Sequence, residues 1–585
     1  MTDSDTKLTG QVQIFIVVLG FVTGFLLWIY TSYLYQPASI TEPIVVWSVL
    51  LGGSTLMGML VGSLTNRAFW LLAVAYILII GLSGLYTGYQ LSPDPLVSRA
   101  DTLYFYYLWP QVIAWFILLF YARTWLQHRN LSFPYSDLFD ASWDHFLVIG
   151  LTALLVGLFW GLLGLWSGLF NMIGIDFFER LFIDDPFAFM ATGLVIGVGV
   201  TVFRRQINAV EVLRRILRAL MRWLLPLLVL MILIFLATLP FTGLQALWET
   251  RYASLLLLLI VAVFLFLFNA VFQDSGEGGY PAWLAAVIKF SMLTMPVFVV
   301  LAGYAIGLRV TQYGWTLDRL WAAIVAAIAA GFAVSYSYAL IRRRTNWFDM
   351  VIETNRVMAA VIAVVCILAC TPLLNLKKIS ADSQVALLNN GKISTARFDL
   401  NYLRFNLGRP GHEALLALKD SEHARDNPKF LTAIESILEE YSRYGVMPIR
   451  DKIETTKDVR EYIGVQPVST QVPEAVWQLI LDDREKDSRC FNSDIKCYLF
   501  AVDVFGDERN EFILLSNFKY VQNERVYGLK GDHWEYIGTA SLPFVEQVGT
   551  NELLNAIKRG DYQVGPSKWR SLTIGKRKFQ FREYD

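Results

Sequence analysis

Eleven apolar runs follow one another along the first 375 residues, and they decide what this chain can fold into. Each run is close to the roughly 20 residues that an α-helix needs to cross a bilayer. The runs lie at residues 12–34, 44–64, 68–90, 103–124, 145–169, 186–203, 224–241, 254–272, 287–308, 317–340 and 357–375. We therefore expect a polytopic α-helical membrane bundle of about eleven transmembrane helices over residues 1–375. The first run is longer than the core of a signal peptide, so it is expected to be an uncleaved span.

The composition changes after the last run. Charged residues make up 17% of the whole chain, whereas a soluble protein carries roughly 25%. From residue 376 onward the composition is that of a soluble protein, and helical spacing gives way to short strand-like runs such as KCYLFAVDV and EFILLSNF. The sequence thus predicts an α+β soluble domain over residues 376–585. The net charge of zero favours no nucleic-acid partner.

Charges in the connecting segments predict the orientation of the chain. Six arginines and one glutamate lie in the segment RRQINAVEVLRRILRALMRW, between the sixth and seventh runs. Because short cytoplasmic loops are enriched in Lys and Arg, this segment should be inside. The N-terminus is then cytoplasmic, and the C-terminal domain lies on the other side of the membrane. Lys377 and Lys378, directly after the last run, oppose this orientation.

The same arginine-rich segment has the pattern of a basic amphipathic helix. Arg214, Arg218 and Arg222 recur one turn apart, opposite apolar residues such as Val210 and Leu217. Such a helix lies on the anionic inner leaflet, where it contacts membrane lipids. The segment also fixes the topology, and the two roles are compatible.

Two cysteines, Cys490 and Cys497, lie in a polar stretch of the C-terminal domain. In an oxidising compartment outside the cytoplasm they would form a disulfide. If the number of spans is off by one, the domain is cytoplasmic and both are free thiols. A zinc site is disfavoured, because no second Cys/His pair lies nearby.

A polar turn, LRVTQYGWTLDRLW, joins the ninth and tenth runs at the membrane boundary. Asp318 could pair with Arg309, since charges at this depth must be paired or reach water. Alternatively, two arginines could hold an anionic headgroup or phosphate, or the turn could only anchor itself in the interface through Trp and Tyr. The residues of this possible anion site are Arg309, Gln312, Tyr313, Asp318 and Arg319.

The stretch DVFGDERNE places Asp503, Asp507 and Glu511 between two predicted strands. It resembles the calcium loops of integrin-like repeats, which use oxygen ligands at alternate positions. It departs from them at Phe505 and Glu508, so a plain hairpin loop is the stronger expectation. No cofactor is expected. No catalytic motif such as G-x-S-x-G, H-E-x-x-H or a P-loop is present, and an enzymatic role is therefore disfavoured without being excluded.

Three stretches resemble a family of bacterial polytopic membrane proteins known as domain of unknown function 4153. They are FPYSDLFDASWDHFLVIGL, QYGWTLDR and the segment from ISADSQVALLNN to RFNLGRPGHEALLAL. The resemblance implies a bacterial inner-membrane protein, and it implies no substrate, cofactor or catalytic residue. In its densest part, Arg404, Arg409 and His412 are the polar residues of a possible soluble-domain site. The alternative is a structural turn that docks this domain on the membrane domain.

These patterns leave several functions open. The first hypothesis is a protein of envelope maintenance or signalling, whose periplasmic domain binds an envelope protein, a glycan or a lipid headgroup. The alternative is a transporter or membrane transferase for a lipid-linked or anionic substrate, with its chemistry near Arg309 and Arg319. This alternative predicts a deep polar cavity that reaches the midplane. A third hypothesis is a purely structural subunit of an envelope complex.

Overall fold

The protein is described by a computed structural model, and its chain divides into two compact units, Met1–Ile434 and Glu435–Asp585. The residues that the structure describes are 8–34, 41–91, 101–244, 253–272, 279–342, 346–439, 455–467, 470–482, 490, 497–507, 509–516, 524–541, 556–557, 559, 561–565, 571–574 and 577–583. We call the first unit the membrane unit and the second the C-terminal unit. The sequence places the change of composition at residue 376, whereas the compact units meet at residue 435.

The membrane unit is helical throughout its described residues. Its long helices are α1 (Gly10–Ile29, extended by a π-helical turn Tyr30–Leu34), α2 (Thr41–Leu60), α3 (Arg67–Tyr89), α4 (Asp101–His128), α5 (Tyr135–Asn171), α6 (Phe177–Ile183), α7 (Asp185–Arg205), α8 (Ile207–Thr242), α9 (Ala253–Val271), α10 (Ala282–Met292), α11 (Met295–Tyr313), α12 (Leu317–Arg342) and α13 (Trp347–Leu368). The shorter helices that follow are α14 (Leu376–Asn389), α15 (Leu400–Asn406), α16 (Gly408–Lys419), α17 (Glu422–Arg425) and α18 (Pro428–Glu439), with 3₁₀ turns at Pro372–Leu374 and Thr395–Arg397.

Ten helical stretches among the described residues are long and apolar enough to cross a membrane. They are Gly10–Leu34, Pro43–Leu60, Arg67–Tyr89, Tyr135–Asn171, Asp185–Arg205, Ala209–Thr242, Ala253–Val271, Ala282–Tyr313, Leu317–Arg342 and Trp347–Leu368. The chain is therefore a multi-pass membrane protein, but the predicted count of eleven is not confirmed. The fourth predicted run coincides with α4, a 28-residue helix. This helix is not among the ten stretches, although its length is sufficient for a span.

Two apolar cores hold the long helices together. The first joins α1 to α5 through residues such as Val12, Leu56 and Val148. The second joins α8 to α13 through residues such as Phe264 and Ala333.

Glycines let α1 and α7 approach each other closely. A Cβ added at Gly20 would overlap the Gly193 carbonyl oxygen, and one added at Gly197 would lie 2.8 Å from the Ile16 carbonyl oxygen. Small residues at such spacing allow helix backbones to touch within a membrane. The equivalent spacing of Gly157 and Gly161 on α5 faces open space.

The two ends of the bundle differ in their polar residues. At one end α14 to α16 pack on the chain, and the backbone N–H of Arg409 donates to the Gln90 carbonyl after α3 at 3.1 Å. We call this the docked end. At the other end Arg204 donates to the carbonyls of Gly58 and Val61, where α2 finishes. We call this the arginine-rich end.

Helix α4 has contacts at both ends of the bundle. Its Tyr107 hydroxyl lies 3.0 Å from the Ser48 hydroxyl, in the first part of α2 at the docked end. Arg129, directly after α4, donates to Asn66 before α3 at 2.9 Å, at the arginine-rich end. A helix of 28 residues is about 42 Å long, which is long enough to reach from one end of the bundle to the other.

The C-terminal unit is built on one mixed sheet of eight strands in the order β1-β2-β3-β4-β5-β8-β7-β6. The strands are β1 (Ile463–Gln466), β2 (Cys497–Val502), β3 (Glu511–Ser516), β4 (Glu524–Lys530), β5 (His533–Ser541), β6 (Tyr562–Gly565), β7 (Ser571–Ile574) and β8 (Arg577–Glu583). β1 pairs with β2 in parallel, and the other pairs are antiparallel.

Each face of this sheet carries its own apolar core. Helices α19 (Thr456–Tyr462) and α20 (Glu474–Asp482) cover one face, where Trp477 and Ile480 pack on Leu499. On the other face Ala556 and Ile557 pack against Phe500 and Ile513. The strand-rich sequence pattern is explained by this alternation of buried side chains between two covered faces.

Candidate functional site

The turn between α11 and α12 is bound by the docked helices. The backbone N–H of Trp315 donates to the Ser383 hydroxyl at 3.0 Å, and that of Leu317 donates to the Tyr402 hydroxyl at 2.9 Å. The same Tyr402 hydroxyl lies 3.0 Å from that of Ser380. Burial of this phenol raises the pKa of Tyr402 above its usual value, so it remains a neutral hydrogen-bonding group.

The predicted anion site at this turn has its charges already engaged. Arg319 donates to the Gly314 carbonyl at 2.8 Å, and its guanidinium lies 5.3 Å from the centre of the Tyr313 ring. Arg309 and Asp318 also have interaction partners, and Gln312 is exposed. The structure thus brings these residues together as the support of a turn. An anion at this turn stays a prediction.

The segment RFNLGRPGHEAL forms a clamp on the end of α3. Gly408 has a φ of +60°, and a Cβ there would overlap the Gln90 carbonyl oxygen. The Arg409 Nε donates to the Tyr89 carbonyl at 2.8 Å, and its guanidinium lies 4.1 Å from the Tyr89 ring centre. The last carbonyls of a helix lack partners within the helix, and a cation is favourable there.

The other two polar residues of this segment face each other. The Arg404 side chain is 1% exposed, and its Nη1 lies 3.0 Å from the His412 Nδ1. Gly411 lets α15 and α16 approach, because a Cβ there would overlap the Leu403 carbonyl oxygen. Arg404, Arg409 and His412 therefore lie in the membrane unit, where they organise the docked helices.

A large apolar groove lies between α2, α4 and α5 near the docked end. Its volume is about 890 Å³, within the roughly 300–1,000 Å³ of most ligand pockets. Aliphatic and aromatic side chains such as Leu51, Trp115 and Phe146 line it. Gly150 of α5 also lines it, and a Cβ there would meet no atom within 4 Å. The hydrogen-bonded pair of Ser48 and Tyr107 gives its wall a polar point.

A small polar cavity of about 40 Å³ adjoins Tyr107 on the side of the docked helices. Gln90, Cys370, Asn375 and Lys377 line it. A cavity of this size has room for about three waters. Tyr107 lines both this cavity and the groove, so one side chain separates them.

Lys377 is the unusual residue of this cavity. Its Nζ is buried and donates to no hydrogen-bond acceptor within the part of the chain that the structure describes. Burial lowers the pKa of Lys377 from 10.5 to about 8, and the neighbouring Cys370 thiol acts in the opposite direction. The pKa of that thiol is raised by its burial to about 11, so Cys370 remains an un-ionised thiol. Sequence reasoning treated Lys377 as a topology signal and missed its burial.

The arginine-rich end places the predicted inner-leaflet residues in contact with other helices. Arg214 is bound to Asp140 at 2.8 Å and also to Asp144 of α5. Its side chain is 14% exposed. Arg222 lies 5.4 Å from the centre of the Tyr280 ring, and Arg218 also has a partner. Contact of these arginines with the inner leaflet stays a prediction.

A closed polar network lies within the helices at the same end. The Tyr336 hydroxyl lies 2.6 Å from the Asn355 Oδ1 and accepts from the Asn269 Nδ2 at 2.9 Å. The Asn355 Nδ2 donates to the Asn269 Oδ1 at 2.8 Å and to the Tyr135 hydroxyl at 3.1 Å. These four residues join α5, α9, α12 and α13. They are spread over more than 200 positions of sequence, and no local sequence pattern predicts that they meet.

In the C-terminal unit the acidic loop between β2 and β3 binds its own backbone. The Glu511 carboxylate accepts from the Val504 N–H at 2.7 Å, and that of Asp503 accepts from Gly506 and Asp507. Burial raises the pKa of Glu511 to about 7, although the backbone donors oppose this. No group of three or more possible metal ligands occurs among the described residues. Calcium binding by this loop stays a prediction.

Cys490 and Cys497 are bonded to each other in the structure. Both are buried beside β2, in the core that α19 and α20 cover. Cys366 and Cys370 are buried free thiols of the membrane unit. The compartment in which the disulfide would form is a matter of topology.

The comparisons with known proteins identify one related group. A family model described as a domain of unknown function, DUF4153, matches residues 45–418. The match extends from α2 to the end of the clamp on α3, and it includes the groove helices and Lys377. Comparisons with curated proteins and with solved structures found no match.

Proposed function

The chain belongs to the DUF4153 family, as its resemblance predicted, and we propose that its membrane unit binds a long-chain amphiphile of the surrounding bilayer. The apolar groove between α2, α4 and α5 carries this proposal. The groove belongs to helices that span the membrane, so the molecules that reach it are lipids. Its aliphatic and aromatic lining is suited to an acyl or isoprenoid chain, and Ser48 and Tyr107 offer a hydrogen bond where the chain ends.

This proposal favours the lipid-handling alternative over a pure sensor. The transporter hypothesis needs a deep polar cavity at Arg309 and Arg319. Those arginines support the turn beneath the docked helices instead. Lipid binding near the docked end is compatible with a role in envelope maintenance, in which the bound lipid is the signal or the cargo.

The proposal includes an orientation in the bacterial inner membrane. Contacts of α4 at both ends of the bundle support an eleventh crossing by this helix. With eleven crossings, the N-terminus and the docked end lie on opposite sides. The arginine-rich end would then be cytoplasmic. The chain would leave the docked end toward the periplasm, where a disulfide between Cys490 and Cys497 is stable.

A groove-filling substitution tests the lipid proposal. Gly150→Leu adds a side chain inside the groove, and Gly157→Leu adds the same side chain two turns away on α5, in open space outside it. Both proteins would be purified in mild detergent, and bound lipid would be measured by native mass spectrometry. We expect wild type and Gly157→Leu to retain lipid that Gly150→Leu loses. Equal lipid in all three proteins would refute binding in the groove.

Thiol labelling tests the orientation. Intact cells would receive a membrane-impermeant alkylating reagent with and without prior reduction. Cys366 and Cys370, the free thiols of the membrane unit, would be replaced by alanine, so that labelling reports Cys490 and Cys497. Labelling of intact cells only after reduction is expected. Labelling that requires opened cells and no reductant would place the C-terminal unit in the cytoplasm and remove α4 from the spans.

A further inference from the structure

Two buried hydrogen-bond donors lie unpaired next to the same thiol. The Lys377 Nζ and the Gln111 Nε2 are both buried and have no hydrogen-bond partner within the described chain. Gln111 is 1% exposed, and the Cys370 thiol against its side chain is only a weak hydrogen-bond acceptor. Lys377 also lies beside Cys370, in the lining of the small cavity. Burying an ammonium without a counter-charge costs several kcal/mol, so a structure that keeps one requires a reason.

The chemistry of these donors defines what could satisfy them. An ammonium and an amide N–H₂ can only donate, so their partner must be an acceptor. The described side chains that line the cavity supply no carboxylate, because its polar groups besides Lys377 are hydroxyls, amides, an indole and a thiol. The strongest partner for such donors is an anionic oxygen. The cavity has space for a carboxylate or for the free oxygens of a phosphate ester.

The position of the cavity connects it with the groove. Tyr107 lines both, and Ile44 of the groove wall packs in one cluster with Tyr107 and Cys370. An apolar chain in the groove would therefore end one side chain away from the unpaired donors. Apolar length followed by an anionic oxygen is the structure of an acidic lipid.

We propose that Lys377 and Gln111 form the headgroup site for an anionic lipid whose chain occupies the groove. This inference rests on the proposed function. It adds the substrate class, an amphiphile with a carboxylate or phosphate oxygen at its head. Zwitterionic lipids, whose heads carry an additional cation, are bound less well.

The test compares two neighbouring lysines. Lys377→Met removes the buried charge, and Lys378→Met removes the same charge from the exposed next position. The full chain would be placed in nanodiscs that contain phosphatidylglycerol or phosphatidylcholine, and bound lipid would be quantified by native mass spectrometry. We expect wild type and Lys378→Met to prefer phosphatidylglycerol. Lys377→Met should lose that preference by about tenfold or more.

A second variant and a competitor keep the outcome unambiguous. Gln111→Leu removes the other donor and should reduce the preference in the same direction by a smaller factor. Inorganic phosphate is the competitor. If it displaces no lipid, the site binds a lipid headgroup. If it displaces lipid from wild type but not from Lys377→Met, the site binds a free anion. An unchanged preference in Lys377→Met overturns the inference. If Gly150→Leu still abolishes lipid binding in that case, the groove proposal stands and the headgroup site alone fails.

Discussion

The two ends of the membrane unit treat buried charge differently. At the arginine-rich end, Arg204 donates to carbonyls at the end of α2, and Arg214 is bound to two aspartates. At the docked end, Arg409 is satisfied in the same way by the end of α3, but the Nζ of the half-buried Lys377 is inaccessible and has no hydrogen-bond partner among the described residues. A charge with partners holds helices in place. A charge without them costs stability and indicates a ligand.

His145 tests whether any unpaired buried group would support the same argument. It is 2% exposed, and neither ring nitrogen has a hydrogen-bond partner within the described chain. A free imidazole is mostly neutral at pH 7, whereas a free lysine is protonated, and an unpaired neutral group costs far less to bury than an unpaired charge. The comparison between the two ends therefore depends on the charge of Lys377, and the following predictions address it.

The largest effect is expected from Gly408→Ala, which should detach the docked helices from the end of α3. Alanine at Gly408 combines a φ of +60° with a Cβ that overlaps the Gln90 carbonyl oxygen. We expect a destabilisation of more than about 3 kcal/mol and faster hydrogen exchange in α14 to α16. Gly391→Ala is the matched control, since its φ is +67° and its Cβ would have open space. It should cost only about 1 kcal/mol, and equal losses would refute the clamp.

Removing the Lys377 charge should stabilise the lipid-free protein. The pKa of this lysine is lowered to about 8 from 10.5, so the unfolded chain binds the proton more tightly than the folded one. Below about pH 8 this difference costs up to about 3 kcal/mol, and the penalty disappears as the pH rises from 8 to 10.5. Delipidated wild type should therefore gain stability over this range, as measured by thermal unfolding in detergent.

Lys377→Met should be more stable than wild type at pH 7 and should lack this gain at alkaline pH. Lys378→Met should follow wild type at every pH, because its side chain is exposed. If Lys377→Met is less stable than wild type at pH 7 without lipid, the lysine has a partner, and the contrast between the two ends disappears.

Glu511 of the C-terminal unit provides the opposite pH dependence. Its pKa is raised to about 7 from 4.5, so the folded chain binds the proton more tightly than the unfolded chain. Its contribution is complete below about pH 4.5 and is lost as the pH rises through about 7. We expect wild type to lose about 2 kcal/mol between pH 5 and 8, and Glu511→Gln to lose less. A wild type that is equally stable at both pH values would contradict the raised pKa.

The sequence predicted the positions of the helices better than it predicted the candidate sites. Apolar runs located the long helices, because hydrophobicity is a local property. They missed where helices begin: α5 starts at Tyr135 and not at residue 145, since Asp140 and Asp144 continue the helix and bind Arg214. The glycines of the clamp predicted a turn, but not its partner Gln90, which is more than 300 residues away.

The site depended on information that no local pattern contains. Lys377 and Lys378 are equivalent in a sequence, and both were counted as charges near a membrane end. Which of the two is buried follows from how α14 packs on the membrane helices, through contacts such as the Ser380 hydroxyl donating to the Trp315 carbonyl at 3.0 Å. The groove likewise arises from the gap between three helices that are separate in the chain.

The smallest effect is expected at the arginine-rich end from Tyr336→Phe. This change removes the hydroxyl shared by Asn269 and Asn355 and leaves a donor and an acceptor unpaired. Hydrogen bonds between membrane helices contribute about 0.6 kcal/mol each on average, so we expect a loss of about 1 kcal/mol in thermal unfolding. Tyr338→Phe on the same helix is the control, since its side chain is exposed. Because Tyr336 does not line the groove, Tyr336→Phe should leave lipid binding there unchanged, whereas Lys377→Met should change binding and raise stability. A lipid-binding loss in Tyr336→Phe would mean that both ends belong to one site.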